Sequence, residues 1–597
     1  MKKIFLSVMA ITLFFVACKT ETKKETPIAI TEPNKEFNQL LKDYNEGKLE
    51  LNPINATYAG DNRHNDKFPN FLSDEYALKA KDFFTNYKAK LDAFPDDKLT
   101  ESQQMSKAVL AWDTDMMLNQ MSFKNDQLLP INQMWTVNLV MGQFASGSSA
   151  QPFKTVKDYE NWLSRLDKFN TWLLSAKTRM QEGIKKGYVL PASLIEKVIP
   201  QFEVLSEEAV SDHLFYAPIA KFPESFSEEE KKELTQKYTN ILKDKLIPTF
   251  KSLYEFLRKD YLEAGLKDSG IHAIPQGKEY YQHAIKNYTT TNMTADEIHQ
   301  LGLDEVKRIL GEMEKVKLQV GFEGTLKEFF EFVRNHKDLM PYTEPKQIID
   351  NFNAIHEKMK PQLEKLFGNK PKTPFVVKQT EKFREASASA EYNPGSLDGT
   401  RPGIFYTPIP DASKYNVFSD EALFLHEAIP GHHYQISLTQ ENEDLPDFRK
   451  TLWYSAYGEG WALYTENLGK ELGLYEDPYQ YFGMLGMEMH RAIRLVVDTG
   501  LHAKGWTREQ AIQYSLDNEA ESEASIISEI ERYMANPGQA LSYKIGQLKI
   551  GELREKAKKE LGDKFDIREF HNQVLETGCI PLALLENKID KWIQQNK

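Results

Sequence analysis

The chain has 597 residues, of which 41% are hydrophobic, 12% aromatic and 27% charged, an ordinary globular composition with ample material for a core. A formal net charge of −13, with no long basic run after residue 30, excludes the electrostatic footprint of a nucleic-acid binder. Two cysteines, Cys18 and Cys579, exclude a disulfide framework and a cysteine-built zinc site, so any metal must be held by His, Asp and Glu.

The first 18 residues read as a targeting segment. "MKK" supplies a positive start, and "IFLSVMAITLFFVA" an apolar stretch too short to span a membrane comfortably. "FVAC" resembles the lipobox of bacterial lipoproteins, which implies a lipid anchor on Cys18. The alternative is a plain secretory signal with an incidental cysteine. Residues 19–35, "KTETKKETPIAITEPNK", have little to bury and read as a flexible tether. The expected location is the cell envelope, facing the periplasm or the cell exterior.

Residues 36–597 read as one large, mainly α-helical unit with room for two lobes. "YALKAKDFFTNYKAKLDAF" and "KQIIDNFNAIHEKMKPQLEKLF" space apolar residues three and four apart. Thr294 and Glu297 form a capping-box pair at the head of a long helix. Strand signals concentrate at 373–410, where "TPFVVKQ" and "PGIFYTPI" sit among Gly and Pro turns. Two to four short strands are expected there, just before the histidine motif.

That motif is "ALFLHEAIPGHHYQ", residues 422–435. In an HExxH zinc site two histidines four apart on a helix share one metal. Here Pro430 stands where the second histidine would be, and His432 and His433 come after it. On a straight helix His426 and His432 point about 120° apart, and His433 lies about 10.5 Å further along the axis than His426. Pro430 removes an N–H and clashes with the carbonyl four residues back, while Gly431 accepts almost any backbone angle. A break at Pro430–Gly431 is therefore expected, and it favours His432 over His433 as the second ligand. "YGEGWALYTENLG" offers Glu459 as third ligand and Glu466, two turns on, to orient a ligand histidine. Three ligands leave a position open for water, and Glu427 is placed to take its proton. Tyr533 and Tyr543 are candidates for stabilising an oxyanion. Asp498 and His502, four apart on a helix, are candidates for a hydrogen-bonded pair near the site, with His502 among the catalytic candidates. A satisfied core pair is the alternative.

"LHEAIPGHHYQ", "GEGWALYTENLG", "RLVVDTGLH", "RYMANPGQALSYKIGQLKI" and "ASASAEYNPGSLDGTRPGIFY" together resemble a widespread bacterial family, long catalogued as a domain of unknown function and marked by HEAxPGHH. The resemblance spans about residues 36–590. It implies a helical, zinc-peptidase-like fold of gluzincin type with a deep cleft and a small sheet by the site. More remotely, the segments are similar to Taq-type carboxypeptidases and thimet-type oligopeptidases, whose ligand glutamate is followed seven residues later by another, as Glu459 is by Glu466. "GQALSYKIGQ" is similar to a carboxypeptidase stretch and places Tyr543 at its tyrosine. Those families carry HExxH and this chain does not. In such folds a strand beside the cleft pairs with the substrate backbone, a part "PGIFYTPI" is expected to play.

The expectation is thus a one-zinc metallopeptidase acting on short peptides, with His426, His432 and Glu459 as ligands and Glu427 as base and acid. Two other readings stand beside it: a catalytically degenerate lipoprotein that binds peptides or a partner, and a metal hydrolase acting on a non-peptide amide.

Overall fold

A computed structural model describes residues 32–597, except 135, 148, 208, 386–387 and 397–400. The lipobox cysteine and most of the tether lie outside the described residues. The described chain is mainly helical with one small sheet. No described helix is long and apolar enough to cross a membrane.

The apolar side chains form two large cores. One is built from residues 54–261, around α1 (Val156–Lys186), α2 (Ala192–Glu207), α3 (Glu228–Ile241) and α4 (Ile247–Phe256). Tyr159, Trp162, Leu166, Phe169, Leu173, Ala176 and Met180 recur at three- and four-residue spacing on α1, which makes one buried stripe along the helix. A Thr155/Asp158 capping box starts α1, and Gly187 ends it in the left-handed region at φ 78°.

The second core joins residues 37–110 to residues 281–593. Its frame is α5 (Gly277–Thr289), α6 (Ala295–Gln319), α7 (Pro345–Leu366), α8 (Asp420–Glu427), α9 (His432–Glu441), α10 (Ser455–Glu466), α11 (Pro478–Ala503), α12 (Glu523–Ala535) and α13 (Ser542–Leu561). The capping box at Thr294 and Glu297 forms as the sequence indicates, with Thr294 N–H donating to Glu297 at 2.8 Å. Behind the site, Lys544 of α13 is fully buried. Its ammonium lies 2.8 Å from Glu305 on α6 and 2.7 Å from Glu488 on α11, which ties three helices together. A buried charge so fully paired fixes the register of its helices more than it adds to stability.

The sheet has the order β1 (Phe375–Gln379), β3 (Gly403–Thr407), β2 (Glu391–Asn393). β3 runs parallel to β1 and antiparallel to β2. This corrects one expectation: "PGIFYTPI" supplies the central strand, so its backbone groups are already paired on both sides and no peptide can add to it. Phe405 of β3 is fully buried against Phe352 of α7, with ring centroids 5.0 Å apart.

One crossing positions the site directly. A Cβ on Gly546 of α13 would stand 1.8 Å from the Ala456 carbonyl oxygen, and one on Gly460 of α10 would stand 2.4 Å from the Gly546 Cα. Only paired glycines allow this approach, and it seats α10, which carries Glu459, against the core. Gly546→Ala is expected to destabilise the protein by about 2–3 kcal/mol in denaturant titrations, the cost of overpacking. Gly551→Ala on the same helix, where nothing lies within 4 Å of the added Cβ, is expected to be neutral or stabilising by up to about 1 kcal/mol. Equal effects at the two positions would contradict the close-crossing account.

Candidate metal centre

Helix α8 stops at Glu427 and α9 starts at His432. Between them Ala428 leaves helical geometry (φ −104°, ψ −104°), the Ile429–Pro430 bond is cis, and the chain folds back on the last turn of α8. Gly431 is the tightest point: a Cβ there would lie 1.9 Å from the His426 carbonyl oxygen and 2.3 Å from that of Leu425. The break is a full stop and restart, not a bulge within one helix.

Helix α10 holds this reversal in place. The Trp461 indole N–H donates to the Pro430 carbonyl at 2.8 Å, and the Thr465 hydroxyl donates to the Leu425 carbonyl at 2.9 Å. Both carbonyls belong to a helix end or turn that would otherwise be left unsatisfied in a buried place. The same helix presents Glu459 and Glu466. Glu466 is buried and bonds His426 Nδ1 at 2.7 Å, which leaves Nε2 turned towards Glu459.

The outcome is a compact donor set. Glu459 Oε2 lies 3.7 Å from His426 Nε2 and 3.4 Å from His432 Nε2, and one ligand atom from each residue falls within 4.8 Å of the others. Two ligands of a tetrahedral zinc stand about 3.3 Å apart when each bond is about 2.0–2.1 Å. Two imidazoles and a carboxylate at these spacings fit a divalent ion such as zinc.

The electrostatics agree with the geometry. Burial opposes charge on His426, but its hydrogen bonds to Glu459 and Glu466 outweigh that and hold its pKa up to about 9. Burial would raise Glu459, yet His432 and His426 overcome it and keep the carboxyl well below the usual range. The pocket thus favours positive charge among its carboxylates, a need that a bound cation would meet. Glu427, also buried, is raised chiefly by desolvation.

His433 turns away from this set. Its Nδ1 bonds the Tyr392 hydroxyl at 2.9 Å, its ring packs 5.0 Å from Phe375 of β1, and burial lowers its pKa to about 4. Tyr543, half-buried on α13, is raised by burial and then by the charge of Glu459, so its hydroxyl is a protonated neighbour of the donor set. Arg494 lies over its ring at 4.6 Å. Tyr533 is committed elsewhere: its hydroxyl donates to Glu529 at 2.7 Å and accepts from Arg494 Nε at 3.1 Å.

His502 requires a correction. Ile271 N–H donates to its Nδ1 at 3.0 Å and its Nε2–H donates to the Tyr533 carbonyl at 3.0 Å. Both nitrogens are used, and burial lowers its pKa to about 3, so it is a neutral structural residue and not a catalytic one. Nor does it pair with Asp498, which accepts from the Tyr281 hydroxyl at 2.6 Å and from Gly538 N–H. Helical spacing brings the two onto one face, but nearer partners claim each.

Three neighbours carry no mark in the sequence. Trp461 and Thr465 sit inside the glutamate helix, but their partners are backbone carbonyls, which no residue pattern signals. Trp453 lies with its ring 5.8 Å from that of His432 and is 44% exposed. It borders a cavity of about 1520 Å³ lined by residues of both cores, among them Trp172 and Val189 from the first and Tyr454 and Met534 from the second.

A family model described as "Bacterial protein of unknown function (DUF885)" matches residues 53–589, and the chain belongs to that family. The fold is shared with a candidate lipoprotein from Colwellia psychrerythraea, whose crystal structure matches with a TM-score of 0.83 at 28% identity, over 94% of this chain and 99% of that one. It is also shared with a candidate lipoprotein of unknown function from Shewanella oneidensis, with a TM-score of 0.73 at 21% identity, over 92% and 99% of the two chains. No curated protein is significantly similar to the chain.

In zinc titrations monitored against a competing chelator, His432→Ala is expected to lose stoichiometric binding and His433→Ala to retain it. Glu466→Gln is expected to weaken binding by about 10–100-fold, the usual effect of removing a ligand's hydrogen-bond partner. Zinc lost in His433→Ala and kept in His432→Ala would reverse the ligand assignment.

Proposed function

We propose that this protein is a zinc-dependent metallopeptidase of gluzincin type that hydrolyses short peptides outside the cytoplasm. The observation that carries the reading is the donor set His426, His432 and Glu459 with the buried Glu427 beside it. Glu427 follows a ligand directly yet is absent from the donor set, so ligation gives no reason for burying a carboxylate there. A general base does.

Zinc bound by His426, His432 and Glu459 would supply Lewis acidity, polarising the scissile carbonyl and lowering the pKa of water towards neutrality. Glu427 accepts the proton of the attacking water and hands it to the leaving amine, and its desolvation makes it the more basic for that task. Glu466 holds the His426 ring so that Nε2 faces inward. Tyr543, kept protonated, donates to the oxygen that gains charge. The cavity bordered by Trp453, whose ring stands 5.8 Å from that of His432, has room for a short flexible peptide.

The lipobox at Cys18 and the likeness to candidate lipoproteins support an anchor that holds the enzyme at the envelope. Glu427→Gln is expected to keep its zinc and to lose hydrolysis of a peptide library by about 100-fold or more. Undiminished turnover in that variant would remove Glu427 from the chemistry. Loss of zinc would make it a ligand. A wild-type protein that binds zinc and peptides but cleaves none would favour the peptide-binding lipoprotein instead.

A further inference from the structure

The cavity that Trp453 borders is lined by none of the metal ligands and carries a polar feature of its own. Asp126 lines it, on the short helical turn Asn125–Leu128. The residue is exposed, so its carboxylate is open to a ligand. Gln120 donates to both carboxylate oxygens, at 2.9 and 3.0 Å, and no cation faces Asp126 among the described residues. Nearby lysines are engaged elsewhere: Lys124 bonds Gln127 at 3.3 Å, and Lys286 lies 5.6 Å over the Trp112 ring.

Two tyrosines complete the surroundings. Tyr280 and Tyr288, both on α5 and both lining the cavity, feel the Asp126 charge, and Tyr280 shares Gln120 with it. Phe123 packs edge-on against Tyr280 with centroids 5.4 Å apart, and the Tyr288 hydroxyl donates to Asn536 at 2.8 Å. Asn536 belongs to the segment Met534–Pro537, which lines the same cavity just after the helix that bears Tyr533. A carboxylate that faces no cation, is held by an amide and shares a cavity with tyrosine rings is the chemistry that recognises an ammonium or guanidinium group, by ion pairing and by attraction to the ring faces.

We infer that Asp126, with Gln120, Tyr280 and Tyr288, forms a subsite in the substrate cavity for a positively charged group of the peptide, either its N-terminal ammonium or a Lys or Arg side chain. The inference rests on the peptidase reading for the nature of the ligand. It adds a preference that the metal centre does not contain: peptides with a cation at the right distance from the scissile bond are held more tightly than their neutral counterparts.

The test is calorimetric binding to the zinc-loaded Glu427→Gln protein, which separates recognition from turnover. Four short peptides of one sequence are compared: free or acetylated at the N-terminus, and, in acetylated form, with lysine or norleucine at one internal position. At least one charged member is expected to bind about tenfold tighter than its neutral counterpart. Adding Asp126→Asn is expected to erase that difference, with zinc content and melting temperature as checks on folding. The pair that discriminates tells which source of charge is read. Discrimination that survives Asp126→Asn, or no discrimination in either pair, overturns the subsite. Discrimination by Asp126 in a protein whose wild type cleaves no peptide would leave the subsite standing and overturn only the peptidase reading.

Discussion

The structure around the candidate metal centre depends on the backbone reversal between His426 and His432. On a continuous helix these residues would be separated by about 9 Å of rise and would point in different directions. With α8 ended and α9 restarted, their ring centroids stand 4.8 Å apart. The reversal cannot hold itself, because it buries carbonyl groups that have left the helical ladder. Trp461 and Thr465 of α10 satisfy two of them. The helix that supplies Glu459 and Glu466 therefore also fixes the turn that presents the histidines. The glycine crossing at Gly460 and Gly546 seats that helix in turn.

Charge points the same way. The buried Glu427 and Glu466 and the partly exposed Glu459 are gathered with two imidazoles. His426 Nε2 and His432 Nε2 both face Glu459, and Glu466 holds the other side of the His426 ring. A buried group of this kind is costly unless it is neutralised. His426 would meet a metal through Nε2 while Glu466 holds its Nδ1.

The sequence made the chemistry legible where it lay in contiguous residues. Pro430 and Gly431 mark the break because their backbone constraints are intrinsic, and Glu459 and Glu466 mark one helix face because their spacing is two turns. The mainly helical fold followed from apolar periodicity, and the small sheet from a local change of pattern at 373–410. Features that depend on long-range partners stayed hidden. β3 became the central strand because β1 and β2 flank it, and no local pattern records strand order. His502 and Tyr533 have the right residue types near the right motifs, but nearer partners had taken their polar atoms. Room for two lobes was legible in the length, but the boundary between the cores was not, since no Pro- or Gly-rich linker sets residues 54–261 apart from the C-terminal half of the chain.

The central claim is that the interrupted motif is an intact metal site. Its most direct test is anomalous X-ray diffraction at the zinc edge on crystals of residues 36–597, after exposure to one equivalent of zinc. The expected result is a single strong peak within about 2.0–2.2 Å of His426 Nε2, His432 Nε2 and a Glu459 oxygen. No peak there, or an ion held by His433 with His432 turned away, would contradict it.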